Sequence, residues 1–575
     1  MLCIGKLFTL LLNNRLTTFL EASGALGSEQ AGFRRNYSTL DHIFTLKAII
    51  DIYLSRQKKL YCAFIDYSKA FDSINRIKLW KSLIAHGING KVLNIVVNLY
   101  KSAKSCVKSH CGQISQLFPS LIGVRQGDNL SPLLFALYVN DLERELLKKC
   151  NGLKLISELS YELLQTEDTV IYCNSITLLY ADDTIIMAEC KDDLQCALDS
   201  LHTYCIEKEL SINICKTKIV IFSKGKVRKI PTFHLGSSKV EVVYEYTYLG
   251  ICFNYNARFT KAEKKIYDQA SKAMYSLISK CRSLNLPIDV QLKLFDSLVL
   301  PIVTYGCEIW GYSQCALAEK LHIKFCKIIL NFKQSTPTCM VLGELGRYPI
   351  INYVKCRMVS FWSKLIQKDN SSIAYIMYCL IFNMQKAQNI HSQWLSAVQN
   401  VLNNCGFSDI WSAQTCNHLW LKINVKQRLT DQFIQTWCST VNDSNSCINY
   451  RIFKIKFMLE PYLLTLPRKY AVTLTKFRLA NSKLPVVVGK YNNINYNDRV
   501  CSLCNSNKIG DEFHVLFECS SFDTLRQALL PRYYCRYPNT HKMDKLFNCK
   551  SKTKLVNLCK MIEAIAAKFR SSMPP

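Results

Sequence analysis

"LLYADDTIIMAEC", residues 178–190, sets two adjacent aspartates, Asp182 and Asp183, between two apolar runs. Asp is a poor strand former, and two like charges side by side raise each other's energy unless something neutralises them. Two readings follow. Asp tolerates turn geometry, so the pair can mark a plain hairpin turn. Alternatively, a hairpin tip delivers carboxylates to a metal ion. A second acidic position bears on the choice. In "LYCAFIDYSKAFDSINRIKLW", residues 60–80, the run Tyr61 to Ile65 reads as a buried strand that ends at Asp66. Asp72 or Ser73 reads as the N-cap of a helix that carries Ile74, Ile77, Trp80 and Ile84 on one face, with Gly87 just past its end. Capping accounts for Asp72, but Asp66 has no cap or turn role. A strand-end Asp and a turn Asp-Asp make three carboxylates able to converge on adjacent strands. Carboxylate oxygens are the ligands that Mg²⁺ prefers, and two such ions about 3.5–4 Å apart clamp an in-line phosphoryl displacement.

Bulk composition agrees with phosphate chemistry. The chain of 575 residues carries 73 basic against 43 acidic residues, a formal charge of +30, which points to a polyanionic partner, nucleic acid first. No stretch reaches the roughly 18 apolar residues of a membrane span, and "LFTLLL" near the N-terminus is too short for a signal-peptide core. The 28 cysteines are scattered through a large chain, which suits reduced thiols and an intracellular setting in nucleus or cytoplasm. No fixed-period repeat and no low-complexity tract is visible. Residues 1 to about 225 alternate helical and strand patterns, 241–255 read as a strand pair around Gly250, and 258 to 480 read as helical. Turn-rich breaks fall at 223–226 and 441–446.

"AFIDYSKAFD" and "LLYADD", separated by "GVRQGDNLSPLLFALYVNDL" (123–142), resemble the palm motifs of a reverse transcriptase, more narrowly the non-LTR (LINE-type) retrotransposon polymerases. "GSEQAGFRRNYSTLDHIF" (27–44), "LSINICKTKIVIFSKGK" (210–226), "YTYLGICF" (246–253), "LVLPIVTYGCEIWG" (298–311) and "LGELGRYP" (342–349) are similar to further motifs in the same order. The resemblance runs from residue 1 to at least 350. It implies an α+β right-hand fold with fingers, an antiparallel-sheet palm and a helical thumb. The implied segments are 1–225 for fingers and palm, 226–350 for primer-grip hairpin and thumb, 351–495 for a helical connection, 496–525 for a zinc knuckle and 526–575 for a basic tail.

Site roles follow from the same resemblance. Asp66 and Asp182 hold two Mg²⁺ ions, with Mn²⁺ as an alternative, and Asp183 completes the acid cluster. Phe71 excludes a ribose 2′-OH, although by itself it reads first as a core aromatic before a helix. Gln126 and Gly127 line the nucleotide pocket, Asp128 and Ser131 start a helix through Pro132, and Lys216 lies near the leaving pyrophosphate with Lys218 and Lys224 close by. Arg34 and Arg35 contact template or phosphates, or form a solvated basic loop. Tyr248, Leu249 and Gly250 grip the primer end. The implied partners are an RNA template, a DNA primer or target and deoxynucleoside triphosphates, with no membrane.

Near the C-terminus, Cys501, Cys504, His514 and Cys519 have the spacing C-x₂-C, nine residues, His, four residues, Cys. That pattern suits a tetrahedral structural Zn²⁺, and a knuckle of this kind binds single-stranded nucleic acid. "CVKSHC" (106–111) is too tight for one site. "MLCIGKLFTLLLNNRL" (1–16) is similar to the middle of the family's first motif, which implies an internal start in a truncated element copy. The alternative to an active polymerase is therefore a catalytically silent remnant that only binds nucleic acid. A viral RNA-copying RNA polymerase fits less well with Phe71 and "YGCEIW".

Overall fold

The computed structural model describes residues 3–571 apart from 28, 102, 154, 156–176, 313–314 and 388–389. Its strands are β1 (Leu60–Ile65), β2 (Lys104–Ser105), β3 (Phe118–Pro119), β4 (Thr177–Tyr180), β5 (Asp183–Ala188), β6 (Lys218–Phe222), β7 (Phe233–Leu235), β8 (Ser238–Val243), β9 (Glu245–Tyr248) and β10 (Ile251–Asn254). Six of them form one sheet in the order β4-β5-β1-β6-β8-β7. β1 lies at its centre because its side chains are apolar on both faces. Leu60, Cys62 and Phe64 point into a core shared with the helix Thr39–Ser55 and the β9–β10 hairpin. Ala63 and Ile65 point into a second core built with the helices Arg76–Ala85, Ser131–Tyr138 and Lys191–Lys208.

The expected antiparallel sheet is mixed. β1 is antiparallel to both β5 and β6, but β6 pairs with β8 in parallel. β8 enters between β6 and the edge strand β7, with which it forms an antiparallel pair. The strand pair around Gly250 is β9–β10, with Tyr248 opposite Ile251. Its two linking residues, Leu249 and Gly250, have φ of 45° and 81°.

The helix after Asp66 begins later than the sequence suggests and buries a different face. Its N-cap is Asn75, whose side-chain oxygen accepts hydrogen bonds from the backbone amides of Ile77 and Lys78. Leu79 and Leu83 are buried, whereas Ile77 and Ile84 are exposed. Gly87 does follow its end, with φ of 80°. The break expected from 441 starts three residues later, since the helix His418–Asp443 buries Val441.

From residue 260 onward the described chain is helical, and its core is continuous from Ile43 to Phe569. Residues 526–571 are therefore no tail. The helix Lys552–Ser571 buries Leu555, Leu558, Ile562 and Ile565 and packs against the helix Arg468–Arg478. Between that helix and the one at Thr338–Leu345 lies a fully buried ion network. The Arg478 guanidinium donates to Glu344 at 2.8 Å and lies 3.1 Å from Glu460, which also pairs with Lys454. Burial pushes the Glu344 carboxyl up despite this partner. The pair therefore adds little net stability, but breaking it leaves buried charge uncompensated. Arg478→Met is expected to destabilise the fold by about 3–5 kcal/mol. A denaturant titration checks this, and an unchanged midpoint would refute the network's role.

Candidate active site and metal centre

The β4–β5 hairpin and β1 bring the sequence-predicted acids to one edge of the sheet. Tyr180 pairs with Asp183 across the hairpin, so Ala181 and Asp182 form its two-residue tip. Ile65 pairs with Thr184 in the neighbouring ladder. Continuing that register by one residue sets Asp66 opposite Asp183. The backbone of Asp66 is held on its other side, where its carbonyl accepts from Asn213 N–H at 2.7 Å and its N–H donates to Thr217 Oγ1 at 3.2 Å. Lys216 Nζ lies 3.8 Å from Asp66 Oδ2.

The acids feel one another. Burial, followed by the Asp66 charge, raises the pKa of Asp182 against the lowering effect of its own backbone hydrogen bond and Lys216. Asp183 is pushed up from the ordinary 3.8 to about 6 by burial and by the charges of Asp182 and Asp66. The residue is nonetheless exposed, so solvent screens part of this repulsion. The three carboxylates do not close to within 4.8 Å of one another, a spacing met among the described residues by one other group. An all-oxygen, doubly repelled donor set at a strand edge nevertheless fits a hard divalent cation.

One positioning element lies in the stretch 27–44, ahead of its arginines. Residues 29–31 run alongside β4, with Leu179 N–H donating to Glu29 O at 2.9 Å and Ala31 N–H to Leu179 O at 3.0 Å. The fully buried Gln30 turns its amide oxygen to the backbone N–H of Gly32 at 2.9 Å and of Ala181 at 3.3 Å. Ala181 has φ of 57°, an uncommon conformation for a residue with a Cβ. A Cβ on Gly32 would stand 2.5 Å from Ala181 N. Gln30 and Gly32 therefore shape the acidic turn from outside. Arg34 is not free for template, because its guanidinium grips Glu21 at 2.7 Å and the carbonyls of Gly27 and Gln30. Arg35 is exposed.

The nucleotide-pocket candidates come together too. Val124 N–H donates to Phe71 O at 2.7 Å and Gly123 N–H to Ile74 O at 2.9 Å, which latches 123–127 onto the segment after β1. Phe71 is half-buried, its ring 5.1 Å from that of Phe135. Gln126 Nε2 donates to the Asp72 carboxylate at 2.9 Å, so Asp72 neither caps a helix nor joins the acid cluster. Gly127 has φ of 76° with open space where a Cβ would lie, so backbone conformation alone already favours glycine there. Ser131 opens the helix as expected. Lys218 is tied to Glu241 at 2.6 Å, which leaves Lys216 beside the acids.

In the β9–β10 hairpin the Tyr248 ring is 2% exposed and packs on Phe64. Its side chain is core, and only the turn at Leu249 and Gly250 stays open to contact. That turn is braced by Tyr305, whose hydroxyl donates to Leu249 O at 2.8 Å.

Far along the chain, Cys501, Cys504, His514 and Cys519 bring their ligand atoms within 4.8 Å of one another. A tetrahedral zinc with Zn–S of about 2.3 Å requires sulfur–sulfur edges of about 3.8 Å, and Cys501 Sγ to Cys519 Sγ is 3.9 Å. His514 Nε2 lies 3.3 Å from Cys504 Sγ, while Nδ1 faces Glu518 at 3.4 Å. That is the outer carboxylate that orients a ligating histidine. Asp511 caps the helix Glu512–Phe517 and fixes where His514 sits. The exposed cysteines of "CVKSHC" form no such group among the described residues.

Residues 1–253 match the family described as reverse transcriptase (RNA-dependent DNA polymerase). The chain is 24% identical over 343 residues to a probable RNA-directed DNA polymerase from transposon X-element of Drosophila melanogaster, covering 57% of this chain and 34% of that protein. It is 24% identical over 340 residues to the RNA-directed DNA polymerase from mobile element jockey of Drosophila funebris, with the same coverage of 57% and 34%. It is 29% identical over 262 residues to the Pol polyprotein of the retrotransposable element R2DM of Drosophila melanogaster, covering 43% and 22%. The chain thus spans about a third or less of the length of these relatives. Among solved structures, apo telomerase from Candida tropicalis aligns with a TM-score of 0.31 at 13% identity, covering 64% of this chain and 61% of that one.

The raised pKa of Asp183 has a consequence for stability without divalent metal. Between the unfolded value near 3.8 and the folded value of about 6, the native state binds the extra proton, so stability is lost as pH rises through that window. Asp183→Asn removes the loss. The variant is expected to melt above the parent at pH 7.5 in chelator and to approach it near pH 4. A variant that melts lower at pH 7.5 would exclude repulsion within the cluster.

Proposed function

We propose that the chain, whose residues 1–253 match the reverse transcriptase family, is an RNA-directed DNA polymerase of the non-LTR retrotransposon type. It extends a DNA primer on an RNA template, with deoxynucleoside triphosphates as substrates, inside the cell. The observation that carries this reading is the meeting of Asp66 with the Asp182–Asp183 turn at one sheet edge. Asp66, Asp182 and Asp183 would hold Mg²⁺ or Mn²⁺, which would supply charge neutralisation for phosphoryl transfer.

The chain's own residues do the positioning. Asp66 is fixed by hydrogen bonds through its backbone, which leaves its carboxylate to ligation. Lys216, exposed beside Asp66, meets the triphosphate as a positive charge and stabilises the departing pyrophosphate. Phe71, held by the latch to 123–127 and by Phe135, presents its half-buried ring as the floor on which a ribose 2′-OH would collide. The open turn at Leu249 and Gly250 supports the primer backbone. Holding these parts in place beforehand lowers the barrier more than any covalent chemistry the side chains offer.

Primer extension tests the reading. With oligo-dT on poly-rA, dTTP incorporation is expected to require Mg²⁺ and to vanish in Asp182→Ala. RNA binding without any extension would instead make the chain a silent nucleic-acid-binding remnant. The Cys501, Cys504, His514 and Cys519 group we assign to one structural Zn²⁺. Purified protein is expected to carry about one zinc per chain. Cys504→Ser is expected to lose that metal and lower the melting temperature, and full zinc content in the variant would refute the assignment.

A further inference from the structure

The helices Ile350–Leu365 and His418–Asp443 pack side by side, and between them opens a cleft of about 780 Å³. Residues of the stretches 298–311 and 342–349 form part of its lining. Its acids are spent: Asp296 is held bidentately by Arg347 at 2.6 and 2.7 Å, and Glu308 accepts from Arg357 at 2.7 Å. Three further lysines line it, Lys364, Lys422 and Lys426, all exposed. None has an ion-pair partner among the described residues. The cleft wall therefore presents a surplus of about three positive charges. Aromatic rings are set among them. Tyr353 is 44% exposed and Tyr348 39% exposed, with the Arg357 guanidinium 5.7 Å from the Tyr353 ring and Tyr348 backed by Phe433 and Phe457.

The cleft shares its supporting elements with the acidic site. Ser38 and Leu40 line it, and one turn further along their helix His42 lies 6.1 Å from the ring of Tyr180, which flanks the acidic turn. Leu300 lines it as well, five residues before the Tyr305 that braces the Leu249–Gly250 turn.

We propose that this cleft is a binding channel for a single strand of nucleic acid, with Lys364, Lys422 and Lys426 on its phosphates and Tyr353 and Tyr348 as stacking surfaces for its bases. Paired lysine charge with exposed rings is the combination that holds unpaired strands, since each ring offers a base about 1–3 kcal/mol of stacking. A duplex, whose bases already stack on each other, cannot use the rings. The proposal rests on the polymerase reading only for why a strand should pass there. RNA and DNA single strands share the chemistry, so both serve as probes.

Binding of a fluorescein-labelled oligouridine and an oligothymidine to the full chain, in chelator and without nucleotides, tests the channel whether or not the protein polymerises. Tyr353→Ala is expected to weaken binding by about 5- to 150-fold. The triple variant Lys364→Gln, Lys422→Gln, Lys426→Gln is expected to flatten the slope of log K against log salt by about 2. A loss confined to oligouridine assigns the channel to RNA, and one confined to oligothymidine assigns it to DNA. An equal loss in Lys149→Gln, Lys191→Gln, Lys239→Gln, which changes exposed lysines elsewhere, would overturn the proposal. So would an equal loss for a duplex, or equal competition by polyglutamate. Unchanged melting of the cleft variants excludes unfolding as the cause.

Discussion

The antiparallel register of β1 and β5 is the constraint on which the rest of the site depends. Ile65 faces Thr184, so the next residues, Asp66 and Asp183, emerge together where the ladder ends. Because side chains alternate, a slip of one residue would send Phe64 into the wrong core and turn Asp66 to the opposite face. Burial on both faces of β1 forbids that slip. The large Phe64 ring stacks on Tyr246 at 4.4 Å, whereas the other face offers only the space left by Ala63 between packed helices. Ordinary apolar packing, far from any reacting atom, thus sets where the carboxylates stand.

That arrangement holds negative charge where the protein alone does not want it. Burial and mutual repulsion raise Asp182 and Asp183 together, and the same field contributes to raising the Tyr246 and Tyr248 hydroxyls beyond the effect of burial. The structure tolerates the cost because the turn is held from outside. Gln30 binds the Ala181 amide, and Gly32 lets the neighbouring backbone approach closer than any side chain would permit. A turn held this way keeps its carboxylates separated and available for a cation to draw together.

The strand–acid pattern was legible in the sequence because it follows from elementary periodicity: an apolar run ending in an acid, and a second hairpin with acids at its tip. The Cys–His group was legible because ligand spacing survives in one dimension. Other features are set by three-dimensional competition. "FDSIN" offers several capping residues in succession, and in the fold Asn75 caps the helix while the Asp72 carboxylate accepts from Gln126, 54 residues away. The helix that follows carries apolar residues on more than one face, and only its neighbours decide that Leu79 and Leu83 are covered. Arg34 is legible only as a basic residue in a loop, because its partner Glu21 lies on the preceding helix. The parallel entry of β8 leaves no mark in local pattern at all.

The C-terminal region raises the same point at larger scale. A basic tail is the expectation for 526–575, yet the long helix Lys552–Ser571 is bound on two sides. It packs on the helix that carries Arg478, and Phe569 meets Phe522 at 6.2 Å while Lys568 donates to Ser521 O at 2.9 Å beside the Cys–His group. Asn449 reaches Glu512 at 2.6 Å from the other direction. Arg478 in turn is locked to Glu344 on the helix Thr338–Leu345. The cysteine and histidine ligands are therefore fixed through buried contacts to the helical body. The group thus keeps a set distance from the acids, a geometry that a flexible tether could not maintain.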